Sequence, residues 1–200
     1  LSIIIGVIMT ATPNVERTER TRAALVQAAR HAFATDGFAA TSTPRIAEQA
    51  NVSRGALYHH FASKSDLFRA VVEYEQESVA GEILRATTPL TNPVDALAAG
   101  TGAFLNAMSD AGRRRILLVD GPAILGAATM REIDQRHAGQ TLAEGIAEAI
   151  ERGYLLPLPP AALADLLSAV FDRIAQVDDT NGDYRKALEG LLDGITLNRD

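Results

Sequence analysis

The stretch from Thr43 to Phe68, TPRIAEQANVSRGALYHHFASKSDLF, leaves few folds open to this chain. It reads as two short helices joined by a tight turn, followed by the capped start of a third. Thr43 can cap the first helix, with Pro44 at the first helical position, where a missing N–H costs nothing. Ile46, Ala47 and Ala50 give that helix one apolar side. Asn51 falls where the chain must reverse, and asparagine tolerates the left-handed conformation better than most residues. Ser53 can cap the next helix, in which Leu57 and Phe61 lie four apart and share a face. The opposite face carries Arg54, Gly55, Tyr58 and His59. A short helix with two apolar anchors inward and Arg, Tyr and His outward suits a DNA major groove. Ser63 or Ser65 then starts the next periodic run, Leu67, Phe68, Val71 and Val72.

The order of these elements, the LYHHF string and Lys64 just before the next helix resemble the TetR family of bacterial transcriptional regulators. The resemblance runs from about Arg17 to Val72. It combines turn chemistry, an aromatic-His recognition helix and a following Ser-Lys in fixed spacing, and so is more specific than a helix-turn-helix pattern alone. It implies an all-α chain: an N-terminal three-helix helix-turn-helix DNA-binding domain, then a helical ligand-binding and dimerisation domain. The implied partners are a double-stranded DNA operator, a second copy of the chain and a small-molecule effector. By position in the family, Tyr58 and His60 match residues that touch the sugar-phosphate backbone, and His59 lies closer to base edges. Thr43 and Lys64 match phosphate clamps at the starts of the second and fourth helices, where free N–H groups favour anions. Arg54 can fork onto a guanine or clamp a phosphate, and Gly55 permits close backbone approach. Arg45 departs from the family, whose members often carry an acidic residue there. It can add non-specific attraction or reach a flanking phosphate.

Composition agrees with a helical chain. Apolar residues make up 47% of the sequence and aromatics only 5%, so a core can form from closely packed small side chains. No segment alternates in the manner of a hairpin strand. There is no cysteine, which removes disulfides and thiolate metal sites and is consistent with a cytoplasmic location. The net charge of −6 argues against nucleic acid until its distribution is read. From Pro13 to Ala70 there are eight basic and five acidic residues, so this segment is +3 and the remainder −9. A basic head on an acidic body fits contact with DNA by one end only.

The leading residues LSIIIGVI are too short to span a bilayer, which needs about 20. They also lack the basic start and cleavage site of a signal peptide. The expectation is a leader over 1–15, with Met9 the biological start and no membrane partner, then a DNA-binding domain over 16–64 and a body over 65–200. The first helix is expected from Glu16 to Ala34, with Leu25, Ala28, Ala29, Ala32 and Phe33 as its buried stripe and Gly37 ending it. A long connector helix follows from Ser65 to about Arg85, shared by head and body. Asn92-Pro93 opens the next helix. Arg113, Arg114 and Arg115 read as a structural or partner-facing run before an anion site, because basic charge at a helix start is unfavourable. After Asp120-Gly121-Pro122, one helix is expected through His137.

Further helices are expected over 139–152, 161–177 and 184–197. Leu163, Leu166, Leu167, Val170, Phe171 and Ile174 face Leu142, Ile146 and Ile150 at coiled-coil-like spacing. Periodicity alone favours an internal core. The resemblance implies instead a dimer seam of two such helices from each chain. For the effector, the candidate pocket residues are Phe104, Leu105, Met108, Leu118, Ile124 and Met130, with Asp120 as a polar handle and an apolar or amphipathic ligand expected. No cofactor and no metal are expected. His59 and His60 are adjacent, and so point about 100° apart on a helix, whereas helical chelating pairs sit four apart. Two other functions compete with a repressor. One is an enzyme using Asp120, His137 and Glu144, which no nucleophile or phosphate-loop motif supports. The other is an interaction protein that keeps the fold and loses its DNA site.

Overall fold

A computed structural model of the chain describes residues 13–177, 179 and 181–197. The expectations about the apolar leader and Met9 lie outside the described residues. Within them the fold is all-α. Helix α1 spans Pro13–Ala40, α2 Thr43–Gln49, α3 Arg54–His60 and α4 Lys64–Thr87. Then come α5 Pro93–Ala107, α6 Ala111–Arg114, a π-helical turn over Arg115–Asp120, α7 Gly121–Leu125 and α8 Ala127–Arg136. The chain closes with α9 Ala138–Glu151, α10 Pro160–Gln176 and α11 Asp183–Ile195. An isolated bridge, Leu155 to Thr196, ties the loop before α10 to the end of α11.

Most boundaries follow from local chemistry. Asn51 is left-handed (φ 55°) between α2 and α3. Ser53 Oγ accepts the Ala56 N–H at 3.1 Å and so caps α3. Ser63 accepts the Asp66 N–H while donating to the Asp66 carboxylate, a reciprocal cap on α4. Asn92 accepts the Val94 N–H ahead of Pro93. Helix α1 starts at Pro13, inside the expected leader, and three further features differ from expectation. Thr43 is the first residue of α2 rather than its cap, because Ser42 takes the extended cap position. Gly37 breaks α1 (φ 82°, ψ 167°), and helical turns resume beyond it up to Ala40. The helix expected across residues 121–137 is two helices, parted at Gly126 with φ 82°.

Two apolar clusters hold the chain. The first is centred on the rings of Phe33, Phe38 and Phe68, with centroids 5.1–5.7 Å apart. It runs from Leu25, Ile46 and Leu57 through α4 to Met108, Ile116, Leu117 and Ile133. Leu57 and Phe61, the inward anchors of α3, are both buried in it. The second gathers Ile146, Leu155, Leu167, Phe171, Ile174 and Leu188. Because the first cluster crosses from the helix-turn-helix into α6–α8, head and body share one core, and residue 64 marks no gap in the packing.

Side chains from the body also finish the end of α1. A helix terminus leaves carbonyls without intrahelical partners, and here distant groups supply them. Arg115 donates to the Thr35 and Asp36 carbonyls at 3.2 Å each. Lys64 donates to the Phe38 and Thr41 carbonyls at 2.8 and 2.9 Å, with its ammonium 4.2 Å from the Phe38 ring centre. Asp120 accepts the Phe38 N–H at 3.1 Å. The π-turn brings residues five apart into line, which places Arg115 3.5 Å from Asp120 and aims both at the Gly37 break. A Cβ on Gly37 would collide with the Arg115 guanidinium.

The other two arginines of the run are also committed within the chain. Arg113 donates to Glu75 at 2.8 Å, Glu82 at 2.9 Å and Ser78 at 3.1 Å. Arg114 donates to the Met108 carbonyl at 2.9 Å. Glu75 is fully buried and also bonded to Arg30 of α1, so one carboxylate joins α1, α4 and α6.

Candidate nucleic-acid interface and cavity

The exposed surface of α3 carries Ser53, Arg54, Gly55, Tyr58 and His59, with His60 half-buried beside them. Arg54 and Tyr58 are one turn apart, and the guanidinium carbon lies 5.7 Å from the phenol ring centre. Tyr58 Oη meets Thr43 Oγ1 at 3.0 Å, which ties the outer face of α3 to the start of α2. The hydrogen bond from Thr43, and then Arg54, lowers the Tyr58 hydroxyl below its usual pKa. Thr43 itself is buried. Arg45 is held by Asp36 of α1, so the residue that departs from the family has a partner within the chain. Lys64 is turned towards the end of α1 by the two carbonyl bonds already described. The side chains brought together on the open face are therefore Arg54, Tyr58 and His59, flanked by Ser53 and Gly55. The two histidine rings stand 5.6 Å apart and tilted by 74°.

The body holds a cavity of about 290 Å³ walled by α4, α5, α8, α9 and α10. Its apolar lining includes Ile83, Leu84, Leu97, Phe104, Leu142 and Phe171. Polar groups enter from Thr101, Thr141 and Ser168, and acids from Asp134, Glu148 and Asp172. Of the seven pocket residues expected from sequence, Phe104 lines it. Leu105 and Met108 instead border a more open recess near Arg114, Ile174 and Arg185. Leu118 and Met130 pack against the first core cluster, Ile124 is exposed, and Asp120 is engaged at the α1 end. The shift has a simple cause. The π-turn sets Asp120 against the end of α1 and packs Leu118 on the first cluster, and the break at Gly126 separates α7 from α8.

Asp134 and Asp172 are the residues that sequence reasoning missed. Burial, then the charge of Asp165, push the Asp134 carboxyl up to about 6, against a hydrogen bond from the Gly139 N–H. Burial and the charge of Asp134 push Asp172 up to about 7. A signal was available. Ala164, Ser168 and Asp172 lie four apart on the inward side of α10, and polar residues on an otherwise apolar stripe mark a space rather than a packed seam.

The residues expected at a dimer seam divide in two. Ile146, Leu167, Phe171 and Ile174 are buried within the chain, and Leu142 and Phe171 line the cavity. Ile150, Leu163 and Val170 are half-buried against the second cluster. Leu166 is 66% exposed, on the outer side of α10 with Ala162 and Ala169. On α11, Tyr184, Ala187 and Leu191 are exposed at matching helical spacing. The three residues of the enzyme alternative are not brought to one site. Asp120 serves the α1 end, Glu144 is exposed and accepts from Gln140, and His137 separates α8 from α9.

Comparison with known proteins agrees with this geometry. The family described as "Bacterial regulatory proteins, tetR family" matches residues 25–71. "Tetracyclin repressor-like, C-terminal domain" matches residues 94–196. The chain is 31% identical over 202 residues to "Probable HTH-type transcriptional regulator ArpR" of Pseudomonas putida, covering 91% of this chain and 94% of that one. It is 33% identical over 152 residues to the HTH-type transcriptional regulator TtgR, also of Pseudomonas putida, covering 70% of each. Among solved structures, a TetR-family transcriptional regulator from Pectobacterium atrosepticum superposes with a TM-score of 0.76 at 30% identity, over 92% of this chain and 98% of that one.

Proposed function

The chain belongs to the TetR family of DNA-binding transcriptional regulators, and from that membership we propose that it is a repressor released by a small molecule. It is not an enzyme. In this reading a homodimer binds a palindromic operator in the cytoplasm, and an apolar or amphipathic ligand in the body cavity loosens the grip. The observation that carries it is one long helix, α4, that begins just after the open recognition helix α3 and reaches the cavity near its other end. Helix α4 starts under the head at Lys64 and walls the cavity at Ile83, Leu84 and Thr87, near its far end. At 1.5 Å per residue it is about 36 Å long, so a small tilt at the cavity becomes a displacement of ångströms at the head.

One recognition helix reads too few base pairs to find a site in a genome, whereas two heads related by a dyad specify a palindrome. The exposed stripe of Leu166 and Ala169 on α10, beside Tyr184 and Leu191 on α11, is the proposed seam. Thr43, Arg45, His60 and Lys64, each tied or half-buried in the free chain, are proposed to set the head's shape and reach phosphates at its edges. Release requires only modest differential affinity, since a tenfold change in DNA binding is about 1.4 kcal/mol.

Selection of bound duplexes from a random DNA library, followed by a salt series on the winner, tests the reading. A palindromic winner whose affinity falls steeply with salt supports it. Sequence preference retained in the Arg54→Ala, Tyr58→Ala double variant refutes the recognition surface. Leu166→Glu is expected to give monomers in sedimentation, and an unchanged dimer refutes the seam.

A further inference from the structure

The cavity has an unbalanced charge inventory. Asp134, Glu148 and Asp172 contribute to its wall, while among the described residues no lysine, arginine or histidine does. Glu148 is exposed at the edge and engaged by Arg152 at 2.9 Å, so its charge is already answered. Asp134 sits over the start of α9. Its carboxylate is so close to Gly139 that a Cβ there would lie 2.6 Å from Oδ2, and it accepts the Gly139 N–H. Arg131 on the same helix is taken up by Asp165 of α10 at 3.6 Å, with both side chains mostly exposed. Asp172 is different. It is half-buried, among the described residues no hydrogen-bond donor reaches it, and it shares the chamber wall with Phe104, Phe171, Leu97 and Leu142 as well as Thr101, Thr141 and Ser168. Helices α4 and α5 present no charged group to the chamber.

A carboxylate in a largely apolar wall with no donor bonded to it is costly, and a structural acid in such a place is ordinarily paired within the fold. We infer that the cavity selects an organic cation, an amine or quaternary ammonium on a compact apolar skeleton, with Asp172 as its principal counter-charge and Asp134 as the second. The inference rests on the reading of this cavity as the effector chamber and gives that chamber a ligand class. The volume of about 290 Å³ is at the small end for a ligand pocket, so the skeleton is one ring or a short branched chain. The Phe104 and Phe171 rings, with centroids 6.0 Å apart, add aromatic walls that favour a cation over a neutral group of the same shape. Charge balances simply. Near neutral pH the Asp172 carboxyl is partly protonated, a bound cation favours its ionised form, and up to one proton leaves to solvent for each cation that enters.

Three probes of one shape separate charge from fit: benzyltrimethylammonium, its neutral carbon isostere neopentylbenzene, and the anionic phenylmethanesulfonate. Calorimetry of the full chain at pH 8 is expected to show the cation binding at least about tenfold more tightly than the neutral isostere, with the anion weakest. Cation affinity should fall by about tenfold between pH 8 and pH 5 as the carboxyls take up protons, and this needs no variant. The Asp134→Asn, Asp172→Asn double variant, checked for folding by its melt, should bind cation and neutral probe alike. Neutral or anionic probe binding as tightly as the cation, a flat pH profile, or a cation preference that survives in the double variant overturns the inference. If the neutral probe binds best and releases operator DNA, the charge assignment fails while the chamber reading stands. If none of the three binds, both fail.

Discussion

Two acidic sites in this molecule are built on opposite terms. At the junction of α1, α4 and α6, Glu75 has no exposed surface, and two guanidiniums, from Arg30 and Arg113, meet its two oxygens. In the body cavity, Asp134 and Asp172 stand half-buried in a largely apolar chamber, and among the described residues no cationic side chain lines it. The first site is complete in the free chain and makes the head and body one piece. The second is incomplete and penalises the free chain slightly at neutral pH. That contrast separates the joint from the proposed effector chamber better than burial alone.

The sharpest way to break the contrast is at Glu75. Glu75→Ala removes the buried carboxylate that Arg30 and Arg113 share, leaving them only Asp110 and Glu82, and should cost about 3 kcal/mol or more, read as a fall in the urea midpoint. Gly37→Ala comes next. It forces a side chain onto a backbone at φ 82° and against Arg115, for an expected loss of about 3 kcal/mol. Arg115→Ala in that background should recover the steric part and leave the backbone part.

Asp172→Asn should have the opposite sign. The folded protein holds the Asp172 proton up to about pH 7, whereas an unfolded chain releases it near the ordinary carboxyl value of about 4. The stability this provides is present in full below about pH 4 and is lost as pH rises through 7. An amide, which never ionises, should therefore add about 1–2 kcal/mol at pH 8 and almost nothing at pH 4.5, read by thermal melts at the two values. The smallest change is Ser53→Ala in the head. It removes one capping bond and should cost about 1 kcal/mol while leaving probe binding in the cavity unchanged.

The same contrast explains what the sequence made legible. In the head, each decision is local. Asn51 turns the chain, Ser53 and Ser63 cap, and Leu57 and Phe61 point inward at a spacing of four. Such features can be read within a window of a few residues. In the body, the decisive facts are long-range. Arg113 is paired with residues 31 and 38 positions away, and nothing near it in sequence distinguishes that from a solvated run. The π-turn over Arg115–Asp120 has no propensity signature, yet it carries Leu118 to the first cluster and Asp120 to the end of α1, outside the cavity. Periodicity on α10 marks a wide apolar face, but it cannot show that Phe171 faces a chamber while Leu166 faces solvent.

The grip of Arg115 and Asp120 on the Gly37 break also limits how the molecule can be rearranged. A recognition head cut at residue 64 and grafted onto another regulator's body would leave the Thr35 and Asp36 carbonyls and the Phe38 N–H facing a stranger's surface. The portable unit is therefore discontinuous: residues 13–64 travel intact only with the π-turn that closes them, and chimaeric sensors built from this chain should carry both pieces.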